Sequence, residues 1–139
     1  NDLPLEGTVF ISVRDRDKAS IVPPARQLAE LGFKIVATSG TARFLVEEGL
    51  AVEPVNKVLE GRPHIVDSIK NGQIQLIFNT TEGPRAIEDS FTLRQTALYN
   101  AIPYSTTVAG AVAMGKAIAA LRAGKLEVAP LQSYFRASF

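Results

Sequence analysis

The 139 residues contain no cysteine and no tryptophan, a single histidine and a single methionine, and almost no excess of one charge sign. Each shortage removes a class of protein. Without cysteine there is neither a disulfide framework nor thiolate chemistry, which fits a reducing, cytoplasmic setting. One histidine and no cysteine do not supply the ligands of a transition-metal site, so no metal is expected. Fifteen basic against fourteen acidic side chains, a net charge of +1, give no electrostatic case for nucleic acid or an anionic membrane. No apolar run reaches the ~18 residues of a membrane span, and no signal-peptide pattern is present. No Gly-x-Gly-x-x-Gly fingerprint occurs. No nucleophile, base and orienting acid come together, so no catalytic residue is expected.

What is present is an ordinary globular composition, 46% apolar and 21% charged, at a length that suits one domain with a sizeable core. The chain opens on Asn1 rather than Met, followed by the loop-like Asp2-Leu3-Pro4-Leu5-Glu6-Gly7. Residues 1–7 therefore read as a linker from a preceding part of a longer chain, residues 8–123 as the domain and residues 124–139 as a C-terminal extension.

The organising stretch is Val36-Ala37-Thr38-Ser39-Gly40-Thr41-Ala42-Arg43. Ile35-Val36-Ala37 is a β-branched run, Ser39-Gly40 breaks it, and Thr41 to Glu48 reads as a helix ended by Gly49. Free backbone N–H groups, the positive end of the helix dipole and the hydroxyls of Thr38, Ser39 and Thr41 then make an anion site. Plain helix capping by the same hydroxyls is the competing reading.

Thr8 to Val13 is an apolar run suited to a strand covered on both faces. Ile21, Ala25, Leu28 and Ala29 follow with helical spacing up to Gly32, and Pro23-Pro24 predicts either a helix start near Val22 or an early kink. Val52 to Val55, broken by proline, reads as an edge strand. Pro63 reads as a first helical residue before Ile65 and Ile69, with Asn71-Gly72 as the stop. Ile74 to Phe78 is the clearest strand. Ile87, Phe91, Arg94 and Leu98 then recur at helical spacing and predict one inward face. After a brief strand at Pro103-Tyr104-Ser105, an alanine-rich helix lined by Ala111, Met114, Ile118 and Leu121 is expected to be capped by Thr106 or Thr107 and to stop at Gly124.

Five strand-helix alternations predict an α/β domain, a parallel sheet of about five strands with helices on both faces, three-layer and Rossmann-like. Ligands of such sheets bind at the carboxyl ends of strands. Polar clusters fall there in turn: Ser12 to Lys18, Thr38 to Thr41, Asn56 and Lys57, and Asn79 to Thr81. Their convergence on one crevice favours a phosphate-bearing ligand, with Lys18 and Lys57 placed to neutralise it.

Three other signals carry no function. Gly110 to Lys116 follows most of a nucleotide-binding P-loop, but Ala117 replaces the magnesium-binding hydroxyl and the segment has a helical apolar face, so Gly110 and Gly115 are expected to permit close packing. His64, alone near a helix start, is expected to be structural or solvated. Glu47-Glu48 and Glu88-Asp89 are expected on solvent faces.

Four segments carry a resemblance: Ile11 to Lys18, Ala37 to Ala42, Val55-Asn56-Lys57-Val58 with Glu60 to His64, and Asn79 to Gly83 with Arg85 to Asp89. In order and in separate loops, they are similar to the carboxy-terminal allosteric domains of carbamoyl phosphate synthetase large subunits, within the wider methylglyoxal synthase-like fold. The resemblance runs from about Gly7 to Leu121. It implies a regulatory module that binds nucleoside monophosphates, UMP as inhibitor and IMP as activator. Carried over by position, it implies that Lys18, Thr38, Thr41 and Lys57 hold the effector phosphate and that Ser12, Asn79 and Thr81 lie by the ribose and base. It also implies Thr106 at an ornithine or interface position, although Ser105 stands where the family often has an acidic residue. The implied partners are the synthetase domains of the same chain and a small glutaminase subunit. ATP with magnesium or manganese would belong to those domains and not to this one, in pathways to pyrimidines and arginine. A methylglyoxal synthase-type lyase acting on dihydroxyacetone phosphate is the alternative. Those enzymes place an aspartate where this chain has Glu60-Gly61-Arg62-Pro63 and a histidine after the fourth strand, where it has none, and arginine is no general base.

Overall fold

The computed structural model describes the backbone of residues 3–56, 64–80 and 84–138, and their side chains except those of 84–89 and 125–138. Among these residues five strands, β1 (Thr8–Ser12), β2 (Lys34–Thr38), β3 (Val52–Val55), β4 (Leu76–Asn79) and β5 (Tyr104–Ser105), form one sheet in the order β3-β2-β1-β4-β5. Every pairing is parallel. Parallel neighbours need crossovers, and among the described residues five α-helices supply them and the outer layers: α1 (Lys18–Glu30), α2 (Ser39–Glu47), α3 (Ile65–Lys70), α4 (Pro84–Tyr99) and α5 (Val108–Ser138).

Strand alternation sorts the core into two halves. Val9, Ile11, Ile35, Ala37, Leu76 and Phe78 turn to the side where α1, α2 and α5 lay down Ile21, Leu28, Leu45 and Ile118. Phe10, Val36 and Ile77 turn to the other side, against Ile65 and Ile69 of α3 and Leu93 and Ala97 of α4. The predicted three-layer α/β architecture is therefore the observed one. The chain winds outward from β1 through β2 to β3, then crosses to the far side of β1 to lay down β4. The boundary between β1 and β4 is thus the point where the winding reverses, and the carboxyl ends of those strands flank the natural crevice of such a sheet.

Several local expectations change. Helix α1 starts at Lys18 and runs through Pro23 and Pro24. The two carbonyls that lose a partner to the prolines belong to Ala19 and Ser20, both exposed, so water can satisfy them. At α3 the N-cap is His64 and the first helical residue Ile65; Pro63 lies outside the described residues. Helix α5 does not stop at Gly124 but continues to Ser138, since one glycine costs a helix only about 1 kcal/mol. Its cap is Thr107, whose hydroxyl accepts the Gly110 N–H at 2.9 Å. Gly110 to Lys116 is helix throughout, and both glycines serve close packing. A Cβ on Gly110 would overlap the Ser105 hydroxyl, and one on Gly115 would crowd Gln27 of α1.

The largest correction concerns α4. Of the face predicted to be inward, Ile87, Phe91, Arg94 and Leu98, the Ile87 side chain lies outside the described residues and the other three are outward, with Phe91 65% and Leu98 75% exposed. The buried pair is Leu93 and Ala97. Both sets recur at helical spacing, and the small Ala97 side chain lets the helix lie close on the sheet, which periodicity alone does not reveal.

Candidate functional site

At the carboxyl edge, register puts Ser12 beside Asn79, Ser12 next to Thr38 across the β1–β2 ladder, and Thr38 beside Val55. By alternation Ser12, Thr38 and Asn79 share the face of Phe10, Val36 and Ile77. Three of the predicted site residues thus form one polar row on the three central strands. The Thr38 hydroxyl donates to the Ser12 hydroxyl at 3.1 Å.

Thr38 is also the N-cap of α2, yet its side chain makes no capping bond. Nor does Thr41 point outward. Its buried hydroxyl accepts the Val13 N–H at 3.2 Å and reaches the Val13 carbonyl at 3.4 Å, fastening the first turn of α2 to β1. Among the described residues no side chain caps this helix, so the N–H groups of its first turn are open to a ligand. Ser39 and Gly40 are exposed there.

Lys18 stands over this turn. A Cβ on Gly40 would sit 3.7 Å from the Lys18 ammonium, and only 16% of the Lys18 side chain is exposed. The ammonium pairs with Asp15, whose carboxylate is almost fully in solvent. A cation at the positive end of a helix dipole is electrostatically unfavourable unless an anion lies between them. Together they form a site for a small dianion, with Gly40 leaving the backbone accessible.

The β1–α1 loop is strapped to the end of β4. The Thr80 N–H donates to the Ser12 carbonyl at 3.0 Å, and the Arg14 N–H donates to the Thr80 hydroxyl at 3.0 Å. Arg14 Nε donates to the Asp17 carboxylate at 2.7 Å. Burial pushes the Asp17 pKa up, but hydrogen bonds from Arg14 and Thr80 and the charges of Arg14 and Arg16 outweigh it and hold the carboxyl below its ordinary value.

Sequence reasoning missed the group around Asn79. Its Nδ2 donates to Ser90 of α4 at 2.8 Å and to the Tyr104 hydroxyl at 2.7 Å, while the Arg94 guanidinium lies 5.8 Å from the centre of the Tyr104 ring. Burial raises the Tyr104 pKa, against the lowering effects of the Asn79 hydrogen bond and the Arg94 charge. Asn79 Oδ1 has no partner among the described residues and remains an acceptor for a ligand hydroxyl or amine. The available signal was Arg94, a charge within an otherwise apolar periodic stripe.

Of the other candidates, Lys57 and Thr81 lie outside the described residues. Lys57 follows Asn56, whose carbonyl accepts the Ile65 N–H at 2.9 Å. Thr106 is exposed ahead of α5. His64 is a buried cap: its Nδ1 accepts the Val66 N–H at 3.2 Å, and its own N–H donates to Asp67 at 3.1 Å. With Nδ1 an acceptor, the ring proton of the neutral imidazole is on Nε2.

Comparison with known proteins gives the family and the fold. The chain is 59% identical over 134 residues to the carbamoyl phosphate synthase large chain of Mesorhizobium japonicum, and 58% identical over 134 residues to that of Rhizobium meliloti. These alignments cover 96% of this chain but only 12% of either relative, so the chain spans about an eighth of their length. Among solved structures, a methylglyoxal synthase from Elizabethkingia anophelis superposes with a TM-score of 0.66 at 19% identity, over 81% of this chain and 79% of that one, which shows a shared fold. A model of the MGS-like domain matches residues 20–106, from α1 to just past β5, and the chain belongs to the family of MGS-like domains.

Proposed function

We propose that the chain is the effector-binding regulatory domain of a carbamoyl phosphate synthetase large chain, and that its carboxyl-edge crevice binds a nucleoside monophosphate through the phosphate. The observation that carries this reading is the Lys18 ammonium held beside Gly40 over the first turn of α2, which no side chain caps among the described residues. Two positive groups face one small space, and a phosphate dianion satisfies both.

In this reading Lys18, Lys57 and the first-turn N–H groups of α2 hold the phosphate. Thr38 and Thr41 shape the cradle, with Thr41 acting through its backbone. Ser12, Asn79 and Thr81 meet the ribose and base. UMP is the inhibitor and IMP the activator. The ligase chemistry, its ATP and metal, and the glutaminase partner belong to other parts of the longer protein. Regulation requires the effector to bind one arrangement of this domain against its neighbours more tightly than another.

Calorimetric titration of the chain with UMP, IMP and inorganic phosphate tests the reading. Saturable binding is expected for the nucleotides, weakened about tenfold or more by Lys57→Ala, the scale of one charge-assisted hydrogen bond. Absence of nucleotide binding at millimolar concentration, or turnover of dihydroxyacetone phosphate by the chain, would overturn it.

A further inference from the structure

The outward face of α4 has the composition of a covered surface. Phe91 and Leu98 lie two turns apart, within about 20° of one another around the helix, with Gln95 between them and Tyr99 beside them. They are 65%, 75% and 89% exposed for Phe91, Leu98 and Tyr99. From Ser90 to Tyr99 the only charge is Arg94, and it lies over the Tyr104 ring. A solvated helix face ordinarily carries Lys and Glu, and here there is none. The core beneath is already complete, since Leu93 and Ala97 fill it. The three outward side chains therefore do nothing for the fold of this domain.

We infer that this face of α4 docks on the adjoining part of a longer polypeptide that carries this chain. The inference rests on the reading of the chain as one domain of a large chain. Area selects the occupant. Phe91, Leu98 and Tyr99 offer roughly 400 to 500 Å² of apolar surface, taking typical side-chain areas. A stable association of separate molecules needs about 800 Å² from each partner, more than these three side chains offer, so the patch by itself favours a tethered neighbour over a second copy of the chain. A covalent tether changes that balance, because it sets an effective concentration in the millimolar range and makes a weak contact persistent. The curated relatives leave 88% of their length outside the aligned segment, ample chain to supply such a neighbour.

The test compares the longer polypeptide, purified from its source and checked by intact mass, with the 139-residue chain, using hydroxyl-radical footprinting. Phe91 and Tyr99 should be oxidised at least fivefold more slowly in the longer protein, while exposed Val46 and Leu121 serve only as internal intensity references. Phe91→Asp in the longer protein should restore fast oxidation at Tyr99 and speed proteolytic release of this domain, without moving the melting temperature of the 139-residue chain. Equal oxidation of Phe91 and Tyr99 in the two proteins would overturn the docking. Concentration-dependent dimerisation of the 139-residue chain with protection of Phe91 would overturn it in favour of a second copy. An intact mass equal to that of the 139 residues would overturn the large-chain reading itself.

Discussion

Asp17 carries no ligand in the proposed site, yet it sets the position of the residues that do. Its carboxylate takes the Arg14 guanidinium at 2.7 Å and a hydrogen bond from Thr80, and so fixes the loop between β1 and Lys18 against the end of β4. Its pKa in the folded chain lies below the ordinary 3.8. A carboxyl lowered by folding contributes stability that is fully present above its unfolded pKa and is lost as pH falls through the folded one. Asp17 should therefore keep its charge below pH 3.8, and the loop should release only on further acidification. Carboxyl chemical shifts through an acid titration measure this, and Asp17→Asn should remove that part of the acid dependence.

Among the elements, α4 shows how little periodicity alone decides. Two stripes repeat along it, and the inner one rests on Leu93, 4% exposed, and Ala97, 1% exposed. Leu93→Ala should destabilise the chain by about 2 to 5 kcal/mol, the cost of a cavity in a packed core. Phe91→Ala, on the outer stripe, should change stability by no more than about 0.5 kcal/mol. Urea unfolding of the two variants separates the stripes, and equal losses would return Phe91 to the core. The same contrast explains α2. Its first turn is fastened from below by Thr41 on Val13, which leaves the N–H groups above it without a side-chain partner among the described residues. An element secured in this way can be left uncapped without fraying.

At the scale of the whole molecule, the arrangement of β1 and β4 on either side of the winding reversal brings loops from distant parts of the chain to one edge. Lys18 and Gly40 meet there although a strand and most of a helix separate them in sequence. The electrostatic cost of that meeting makes a prediction that separates binding from folding. In the ligand-free chain Lys18→Met should leave stability within about 0.5 kcal/mol, because loss of a partly solvated pair with Asp15 is offset by relief at the helix N-terminus. In the same variant, affinity for inorganic phosphate should fall about tenfold or more. Thermal unfolding with and without phosphate reads both effects, and a large loss of stability without phosphate would make Lys18 structural.

By itself, the sequence determined the layers and their order of appearance. The apolar runs of β1, β2 and β4 are short, β-branched and unbroken, and the residues that close each one are polar or glycine, so strand, turn and helix announce themselves locally. The polar row was legible for the same reason, since Ser12, Thr38 and Asn79 each end a strand. Tertiary structure alone decided what those residues do. Thr41 reads as an outward hydroxyl and is turned inward to Val13, because the register of α2 on β1 is a long-range fact. Asn79 is held by Ser90 and Tyr104, which only strand order brings beside it. The outward turn of Phe91 and Leu98 follows from which stripe of α4 fits the sheet, a choice made by packing between elements that no local pattern encodes.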